Sequence, residues 1–207
     1  MRNRQLYELR EQLSLTSLQC SVLVGAVLGD GALILASSGH ADARLQIEHK
    51  TAHRDYVLWT YEVFKDWVLT PPFHRVETNS WRFRTISHAE LGQYRAAFYN
   101  GRQKTVPANI EELLDPISLA VWLMDDGGLA RAHNTYSISV HCFAPRDVEL
   151  LQKALLNRWR IVSAMYHDGK GDDKYRLYIR DYSAPMLQSL IMPYVHPCMM
   201  SKLSLTP

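Results

Sequence analysis

The sequence is poor in cysteine, and the few cysteines present are not spaced for a cross-link or a metal site. Cys20, Cys142 and Cys198 are odd in number and far apart, and no Cys-x-x-Cys pair occurs. These spacings disfavour a disulfide framework and a zinc knuckle. We therefore expect a protein of a reducing compartment.

Long apolar runs are also lacking. No run reaches the roughly 18 apolar residues that a membrane-spanning helix requires. The N-terminal segment MRNRQLYELREQL has no apolar stretch typical of a secretory signal, and Glu8 and Glu11 argue against a transit peptide. The sequence thus predicts an intracellular protein without a membrane partner, in a bacterial or archaeal cytoplasm or an organelle matrix.

The composition is that of a folded protein. The 207 residues suffice for one large domain or for two small, tightly joined ones. Apolar residues make up 47% of the chain and aromatic residues 10%, so the chain can bury a substantial core. A net charge of +2 is compatible with a nucleic-acid partner but does not require one.

An internal repeat organises the chain. Leu23–Gly31 and Leu119–Gly127 are apolar stretches that each end in Asp-Gly, and the aspartates lie 126 − 30 = 96 residues apart. The segments that follow also correspond, so that both halves have the order α-β-β-α-β-β-α. The pattern predicts an α+β protein with a first half over residues 1–100, a polar connecting segment over 101–115 and a second half over 116–207.

Helix boundaries can be read at several positions. Asp115-Pro116 supplies an N-cap and a first-turn proline to the second motif helix, and Thr16-Ser17 can cap the first. Gly31 and Gly127 suit the residue of positive φ that often closes a helix. Further helices are expected over Pro145–Trp159 and from residue 88 to about residue 100.

The two motif helices differ in the bulk of one face. Gly25 and Gly29 lie four residues apart in the first helix, a spacing that lets helices approach closely. Val121 and Asp125 occupy the corresponding positions of the second helix. We expect a close helix pair with one glycine-lined face and one bulkier face.

Polar and apolar residues alternate in four predicted strands, which gives each strand one polar face and one face toward the core. These strands lie at 44–50, 81–85, 135–142 and 175–180. Their polar faces carry donors and acceptors of the kind that contact phosphates and base edges. With nearby loop residues, the candidate DNA-contacting set is Arg44, Gln46, Glu48, Lys50, Arg75, Arg82, Arg84, Arg131, Asn134, Ser137, Ser139, His141, Lys170, Lys174, Arg176, Tyr178 and Arg180.

The distribution of charge favours this interpretation over an ordinary solvated sheet face. Residues 75–104 contain six Arg and Lys against two acidic residues, and residues 158–180 contain six against three. Residues 105–126 contain five acidic residues and no Lys or Arg. Positive charge therefore follows the strands, and negative charge collects at the end of the second motif.

The two motif aspartates point to a metal site. A carboxylate at a helix C-terminus faces the negative end of the helix dipole, at a cost of about 0.3–1 kcal/mol. If the motif helices pair, Asp30 and Asp126 also repel each other. A divalent cation removes both penalties, and oxygen ligands suit Mg²⁺, Mn²⁺ or Ca²⁺ better than zinc. A single Asp-Gly pair would be an ordinary helix stop; two at matching places in a repeat are a much stronger signal.

These residues resemble the LAGLIDADG homing endonucleases, and in particular the monomeric kind that carries two motifs. The motif aligns on residues 23–31 and 119–127, and the likeness continues at 66–72, 104–107, 118–120, 122–128, 193–197 and 199–203. The resemblance implies two αββαββα halves related by a pseudo-twofold axis. It also implies saddle-shaped antiparallel sheets that lie in the major groove of double-stranded DNA.

The resemblance also implies a set of active-site residues. Asp30 and Asp126 would bind catalytic Mg²⁺, for which Mn²⁺ or Ca²⁺ can substitute in binding, with the main-chain carbonyls of Gly29 and Asp125. Lys104 and Lys202 fall on the family's catalytic lysines, although ordinary surface lysines are the alternative. Two pairs would lie beside the metal-bound water, namely Glu48 with His49 and Ser139 with His141.

The implied activity is site-specific cleavage of both DNA strands by a monomer of the intron-homing type. The target would be long and asymmetric, and the products would have short 3′ overhangs. Two alternatives remain open: an RNA-binding maturase that assists splicing of a group I intron, and a DNA-binding regulator without cleavage. Retention of both motif carboxylates and both lysines favours the nuclease.

Overall fold

The computed structural model describes residues 10–37, 41–130, 133–169 and 174–203. Its first half consists of helix α1 (Ser17–Leu28), strands β1 (Ala32–Leu35) and β2 (Ala43–Lys50), helix α2 (Arg54–Phe64), strands β3 (Phe73–Arg75) and β4 (Ser80–Arg84), and helix α3 (Ala89–Phe98). A hairpin of β5 (Tyr99–Asn100) and β6 (Gln103–Lys104) and the short helix α4 (Ile110–Leu113) lead onward.

The second set of elements follows the same order. It consists of helix α5 (Pro116–Asp126), strands β7 (Gly127–Ala130) and β8 (Thr135–Ser139), helix α6 (Pro145–Trp159), strands β9 (Ser163–His167) and β10 (Tyr175–Ile179), helix α7 (Ala184–Ile191) and the short helix α8 (Met200–Leu203). Short 3-10 turns extend the ends of several helices, at Thr51–His53, Lys65–Trp67, Asp181–Ser183, Met192–Tyr194 and Pro197–Met199.

Two four-stranded antiparallel sheets have the same strand order. The first has the order β1-β2-β4-β3, and the second has β7-β8-β10-β9. In β2, residues alternate strictly between buried and partly exposed until the exposed Lys50, so one face meets the core and the other is free. The predicted α+β class with antiparallel sheets is confirmed.

The motif helices α1 and α5 lie side by side at the centre of the molecule. From Val22 to Leu28 every residue of α1 is buried, and α5 is buried from Ser118 to Asp125. Helices that are apolar on nearly every side belong inside a core. Aliphatic side chains of both sheets pack around them in one continuous cluster.

Gly25 within α1 and Gly29 at its C-cap allow the close approach. A Cβ atom added at Gly25 would lie 2.6 Å from the Cβ of Val121, and one added at Gly29 would lie 2.6 Å from Oδ2 of Asp125. Both distances are far below van der Waals contact. The glycine-lined face of α1 therefore receives the bulkier face of α5, as the sequence predicted.

Both motif helices begin with a capping box. The Thr16 side chain accepts a hydrogen bond from the backbone N–H of Gln19, and the Asp115 side chain accepts one from Ser118. Ser21 of α1 also donates its hydroxyl hydrogen to Asp115, which ties the start of α5 to α1. The predicted N-caps of both helices are confirmed.

The predicted conformation of Gly31 and Gly127 was wrong. Among the described residues, the glycines of positive φ are Gly101 and Gly169, whereas Gly127 has φ −81°. The two motif glycines are needed for a different reason. A Cβ at Gly31 would lie 2.7 Å from the carbonyl oxygen of Ala26. A Cβ at Gly127 would be similarly close to the backbone of α5.

The β5–β6 hairpin was not predicted. We expected a helix as far as about residue 100, but α3 ends at Phe98 and the chain turns at Gly101, whose φ is 60°. Tyr99 then pairs with Lys104 across the hairpin. This turn brings Lys104 back toward the centre of the molecule. In the described part of the chain, no helix is both long and apolar enough to span a membrane.

Gly25→Ala should lower the free energy of unfolding by about 1–3 kcal/mol or more, because an added methyl group in a close-packed seam forces the helices apart. Gly128→Ala is the matched control, since a Cβ there meets nothing within 4 Å. It should change the free energy of unfolding by less than about 0.5 kcal/mol. Urea denaturation measures both, and equal effects of the two substitutions would contradict the described packing.

Candidate active site and nucleic-acid interface

The two motif aspartates lie at the same end of the central helix pair. Asp126 is the last residue of α5, and Asp30 lies two residues beyond the end of α1. The Asp30 side chain is 50% exposed. Burial raises the pKa of Asp126 to about 7, and the negative charge of Asp30 acts in the same direction. The helix seam therefore concentrates negative charge at one point.

Two lysines contact main-chain carbonyls of the two motifs. Lys104 Nζ donates a hydrogen bond to the carbonyl oxygen of Gly29 at 2.5 Å. Lys202 Nζ donates to the carbonyl oxygens of Met124 at 2.7 Å and Asp125 at 2.8 Å. Burial lowers the pKa of both lysines, and the nearby aspartates oppose this shift. The structure thus places the two lysines at the motif ends and not on the open surface.

The side chain of Asp125 crosses the seam between the halves. It is 1% exposed, and its Oδ1 accepts a hydrogen bond from the Tyr56 hydroxyl at 2.9 Å. Its Oδ2 accepts a hydrogen bond from the backbone N–H of Asp30 at 3.1 Å. Burial raises the pKa of Asp125 well above its usual range, and the charge of Asp30 adds to the effect. The sequence had pointed to the main-chain carbonyl of Asp125, whereas its carboxyl group makes the cross-seam contacts.

His49 lies between two aspartates that belong to different motifs. Its Nδ1 is 3.6 Å from Oδ2 of Asp30, and its Nε2 is 3.5 Å from Oδ1 of Asp125. The ring also packs edge-on against Tyr56, with 5.1 Å between centroids. Burial lowers the pKa of His49 to about 4, although Asp30 opposes this, so the imidazole is neutral at pH 7.

Glu48 and His49 face opposite sides of the first sheet because successive strand residues alternate. Glu48 accepts hydrogen bonds from Ser80 at 2.6 Å and Arg75 at 3.0 Å on the polar face. The structure therefore separates a pair that the sequence had placed together. In the second half, Ser139 pairs across the sheet with Arg176, and His141 lies beyond the strand, 3.1 Å from Asp168.

The donors at the seam fit a divalent cation with a preference for oxygen ligands. No group of three or more His, Cys, Asp or Glu side chains suited to a metal occurs in the described ranges. Two carboxylates and the two main-chain carbonyls of Gly29 and Asp125 supply only oxygen, as Mg²⁺, Mn²⁺ and Ca²⁺ prefer. The lysine ammonium groups on those carbonyls show that positive charge is accommodated there.

The polar face of the first sheet holds its side chains in pairs. Gln46 lies opposite Arg84 and accepts its Nε–H hydrogen bond at 2.7 Å. Glu48 lies opposite Arg82, with 3.5 Å between Oε2 and Nη1. The predicted residues on this sheet are Arg44, Gln46, Glu48 and Lys50 of β2, Arg75 of β3, and Arg82 and Arg84 of β4.

Among the described residues, the second sheet has fewer paired charges than the first. Arg176 donates a hydrogen bond to Ser137 at 2.9 Å, and Arg180 donates one to the Tyr166 hydroxyl at 3.2 Å. The predicted residues here are Ser137 and Ser139 of β8 and Arg176 and Tyr178 of β10, with Asn134, His141, Lys174 and Arg180 in the flanking turns. The predicted contacts Arg131 and Lys170 lie outside the described residues.

Tyr56 is a residue at the seam that we did not predict. It is buried in α2, where an aromatic residue on the core-facing side of a helix is ordinary. Its hydroxyl group bonds to Asp125, 69 positions away. A buried tyrosine usually needs a partner for its hydroxyl group, but the sequence does not indicate which one.

Comparison with known proteins gives matches over most of the chain. A family model described as the LAGLIDADG DNA endonuclease family matches residues 20–187. The DNA endonuclease I-ChuI of Chlamydomonas applanata is 27% identical over an alignment of 212 positions, which covers 93% of this chain and 97% of that protein. The cytochrome b mRNA maturase bI2 of Debaryomyces hansenii is 25% identical over 192 residues, and the alignment covers 88% of this chain and 72% of that protein.

Solved structures share the fold. The homing endonuclease I-WcaI bound to its DNA recognition sequence matches with a TM-score of 0.85 and 23% identity, over 98% of this chain and 93% of that chain. I-DmoI in complex with DNA and Mn matches with a TM-score of 0.56 and 16% identity, over 85% and 97%. The fold class predicted from the repeat is therefore confirmed.

Asp126→Asn should alter how stability depends on pH in the absence of metal and DNA. Because the folded chain raises the pKa of Asp126 to about 7, it binds this proton more tightly than the unfolded chain does. This tighter proton binding adds to the free energy of unfolding of the wild type. The added stability is fully present below a pH of about 4, the usual carboxyl pKa, and is lost as the pH rises through about 7. Asparagine cannot titrate, so the variant keeps its stability over this range.

We expect the difference in free energy of unfolding, variant minus wild type, to increase by about 2 kcal/mol between pH 5 and pH 8. Denaturant titrations at a series of pH values measure it. The opposing effect of His49, whose pKa is lowered to about 4, is present in both proteins and cancels. A difference that does not vary with pH would contradict the described environment of Asp126.

Proposed function

Because this chain belongs to the LAGLIDADG DNA endonuclease family, we propose that it is a site-specific endonuclease that cuts both strands of a DNA target with the help of a divalent metal. The observation that carries the proposal is the seam itself. Asp30 and Asp126, from the two halves of the repeat, share one end of a helix pair with two lysines.

We assign metal binding to the carboxylates of Asp30 and Asp126 and the main-chain carbonyls of Gly29 and Asp125. Mg²⁺ is the proposed physiological ion, and Mn²⁺ or Ca²⁺ would substitute in binding; the structure of I-DmoI was obtained with Mn. When bound, such an ion activates water and offsets charge on a phosphate. The oxygen-only donor set described above supports this assignment.

Lys104 and Lys202 are the proposed catalytic lysines. Each ammonium group already lies at the end of a motif, 2.5–2.8 Å from main-chain oxygens there. Positive charge held at that position favours the negative charge that develops on a phosphate during cleavage. Their burial limits the number of side-chain conformations, so the charge stays where the reaction needs it.

The two sheets are the proposed DNA-binding surface, with the polar faces in the major groove. Their strand faces differ, since the first is rich in arginine held by Glu48 and Gln46 and the second presents serine, tyrosine and arginine. A surface with two unlike halves fits an asymmetric target. The I-WcaI structure contains the DNA recognition sequence of that enzyme. We propose a long, asymmetric target of the intron-homing type, cut to leave short 3′ overhangs.

The chain organisation proposed for this activity is a single monomer with halves at residues 1–100 and 116–207, joined by residues 101–115. Within the family, we propose a particular likeness to the monomeric enzyme I-SceI, on the segments at 66–72, 104–107, 118–120, 122–128, 193–197 and 199–203. All three cysteines are unpaired, which supports a reducing compartment, a bacterial or archaeal cytoplasm or an organelle matrix.

A second candidate is an RNA maturase that assists splicing of a group I intron. The similarity to a cytochrome b mRNA maturase over 88% of this chain favours it. A direct test incubates the protein with Mg²⁺ and DNA that spans the intron-less insertion site, and separately measures binding of the intron RNA. Double-strand cleavage supports the endonuclease. Tight RNA binding without cleavage would replace it with the maturase.

Asp30→Asn and Asp126→Asn should each abolish double-strand cleavage, with a fall in rate of at least about 100-fold, because each removes one carboxylate from the composite metal site. DNA affinity should stay within about threefold of the wild-type value, since the sheet faces are unchanged. Cleavage of a supercoiled plasmid and gel-shift titration measure the two effects. Normal cutting of both strands by either variant would refute the metal assignment.

Selection of cleaved sites from a randomised DNA library should return one long consensus whose two halves are unrelated in sequence. The physical reason is the difference between the two strand faces. Arg84→Ala should relax specificity over one half of that consensus and cost about 1–3 kcal/mol of discrimination there. A palindromic consensus, or relaxation spread over both halves, would contradict the proposed docking of the sheets.

A further inference from the structure

We propose that His49, Tyr56 and the carboxyl group of Asp125 form a positioning network for Asp30, and that this network serves the cleavage of only one of the two DNA strands. The inference rests on the proposed endonuclease function and deepens it. It assigns a task to three buried side chains that do not face the DNA-binding surface.

The contacts form one continuous chain that ends at Asp30. The Tyr56 hydroxyl donates to Oδ1 of Asp125 at 2.9 Å, and His49 Nε2 lies 3.5 Å from the same oxygen. The other ring nitrogen of His49 lies 3.6 Å from Oδ2 of Asp30. The second oxygen of Asp125 accepts the backbone N–H of Asp30 at 3.1 Å. Asp30 is therefore hydrogen-bonded at its backbone, and its side chain lies beside the His49 imidazole.

The three members of the network are rigid, whereas the group that they hold is not enclosed. The His49 side chain is 6% exposed and that of Asp125 is 1% exposed, and the Tyr56 ring is stacked on Trp59 at 5.7 Å. The Asp30 side chain, by contrast, is 50% exposed. An exposed carboxylate beyond the end of a helix has several rotamers available, and a fixed imidazole beside it restricts that choice.

The register of the sheets shows that, among the described residues, the imidazole has no counterpart at the matching position of the second half. The residue two positions beyond the motif aspartate pairs with Gln46 in the first sheet and with Ser137 in the second. His49 is three residues after Gln46, and Val140 is three residues after Ser137. Val140 is fully buried and has no polar group to offer Asp126.

The carboxyl group of Asp125 likewise occurs in only one of the two motifs. Asp125 directly precedes Asp126, and the residue in the same place before Asp30 is Gly29. The gap left by Gly29 is the space that the Asp125 side chain fills, because a Cβ added there would lie 2.6 Å from Oδ2 of Asp125. The single carboxyl group therefore points from the second motif to the first, and among the described residues nothing equivalent returns toward Asp126.

Removing such an orienting group from a metal ligand typically costs 10- to 100-fold in activity or affinity. Because the network reaches Asp30 and not Asp126, we expect that loss to fall mainly on the strand whose scissile phosphate lies beside Asp30. The enzyme would then nick its target and finish the second cut slowly. A network that merely stabilised the fold would slow both cuts together or neither.

The test uses a supercoiled plasmid that carries the selected target, with each strand labelled so that the two cuts are measured separately. His49→Val places in the first half the residue found at the corresponding position of the second. We expect one strand to be cut at least tenfold more slowly than by the wild type and the other to stay within about twofold, so nicked plasmid accumulates. Asp125→Asn and Tyr56→Phe should slow the same strand.

Tyr94→Phe is the matched control, since it deletes a phenolic hydroxyl group from another helix of the first half, whose partner is Cys20 and not Asp125 or Asp30. It should leave the ratio of the two strand rates at the wild-type value. Thermal unfolding identifies any variant that does not fold. Tyr56→Phe, which removes a single oxygen atom, keeps the test decisive if His49→Val unfolds.

The outcomes separate the inference from the proposed function. If the wild type cuts DNA and the variants slow both strands equally, or leave the ratio unchanged, the positioning network is refuted and the endonuclease stands. Slowing of different strands by the three variants also refutes it. If the wild type cuts no DNA, the proposed function fails, and the inference fails with it.

Discussion

The packing of α1 on α5 at Gly25 and Gly29 is the contact on which the rest of the structure depends. A glycine inside a helix costs about 1 kcal/mol relative to alanine, a cost that applies to Gly25 but not to Gly29, which lies at the C-cap. The burial of both helices along their length offsets that cost. Val121 packs against Gly25 and Asp125 against Gly29. This packing determines where the ends of the two helices lie relative to each other.

The meeting of the helix ends concentrates charge of one sign. Both motif aspartates lie at the unfavourable end of a helix dipole, and the pKa of Asp126 is raised to about 7 by burial and by Asp30. Two lysine ammonium groups lie beside this negative charge, Lys104 from the β5–β6 hairpin and Lys202 from α8. The lysine ammonium groups hydrogen-bond to main-chain carbonyls of the two motifs, where they partly offset the negative charge of the aspartates.

The symmetry of the fold and the asymmetry of the site have different origins. The two sheets share a strand order, which is a property of the backbone. The groups around the two aspartates differ because single positions have diverged: glycine opposite Asp125, and valine in the place of His49. Such substitutions leave a fold unchanged and still make two half-sites unequal.

Much of the fold could be predicted from the sequence, because periodicity and capping are local. The helix over Pro145–Trp159 has its predicted bounds, and Asp115 caps α5 as expected. The seam was also predictable, since glycine spacing indicates close approach. Prediction from local sequence failed where tertiary contacts determine the backbone conformation. The β5–β6 hairpin, which brings Lys104 to the end of the first motif, is an example.

The same limit applies to the candidate site. Glycine is needed at positions 31 and 127 because a Cβ there would clash with the backbone of the preceding helix, and not because of a positive φ. The bond from Tyr56 to Asp125 joins residues 69 positions apart, and no periodicity in the sequence indicates that pairing. Motif residues could thus be named from the sequence, whereas the residues that support them required the structure.

The most direct test of one composite metal site is a crystal structure of the protein with its selected DNA target and Mn²⁺, with the metal located by anomalous scattering. We expect anomalous peaks in contact with the carboxylates of Asp30 and Asp126, at the end of the α1–α5 seam. Metal bound away from both aspartates, or carboxylates too far apart to belong to one site, would contradict it.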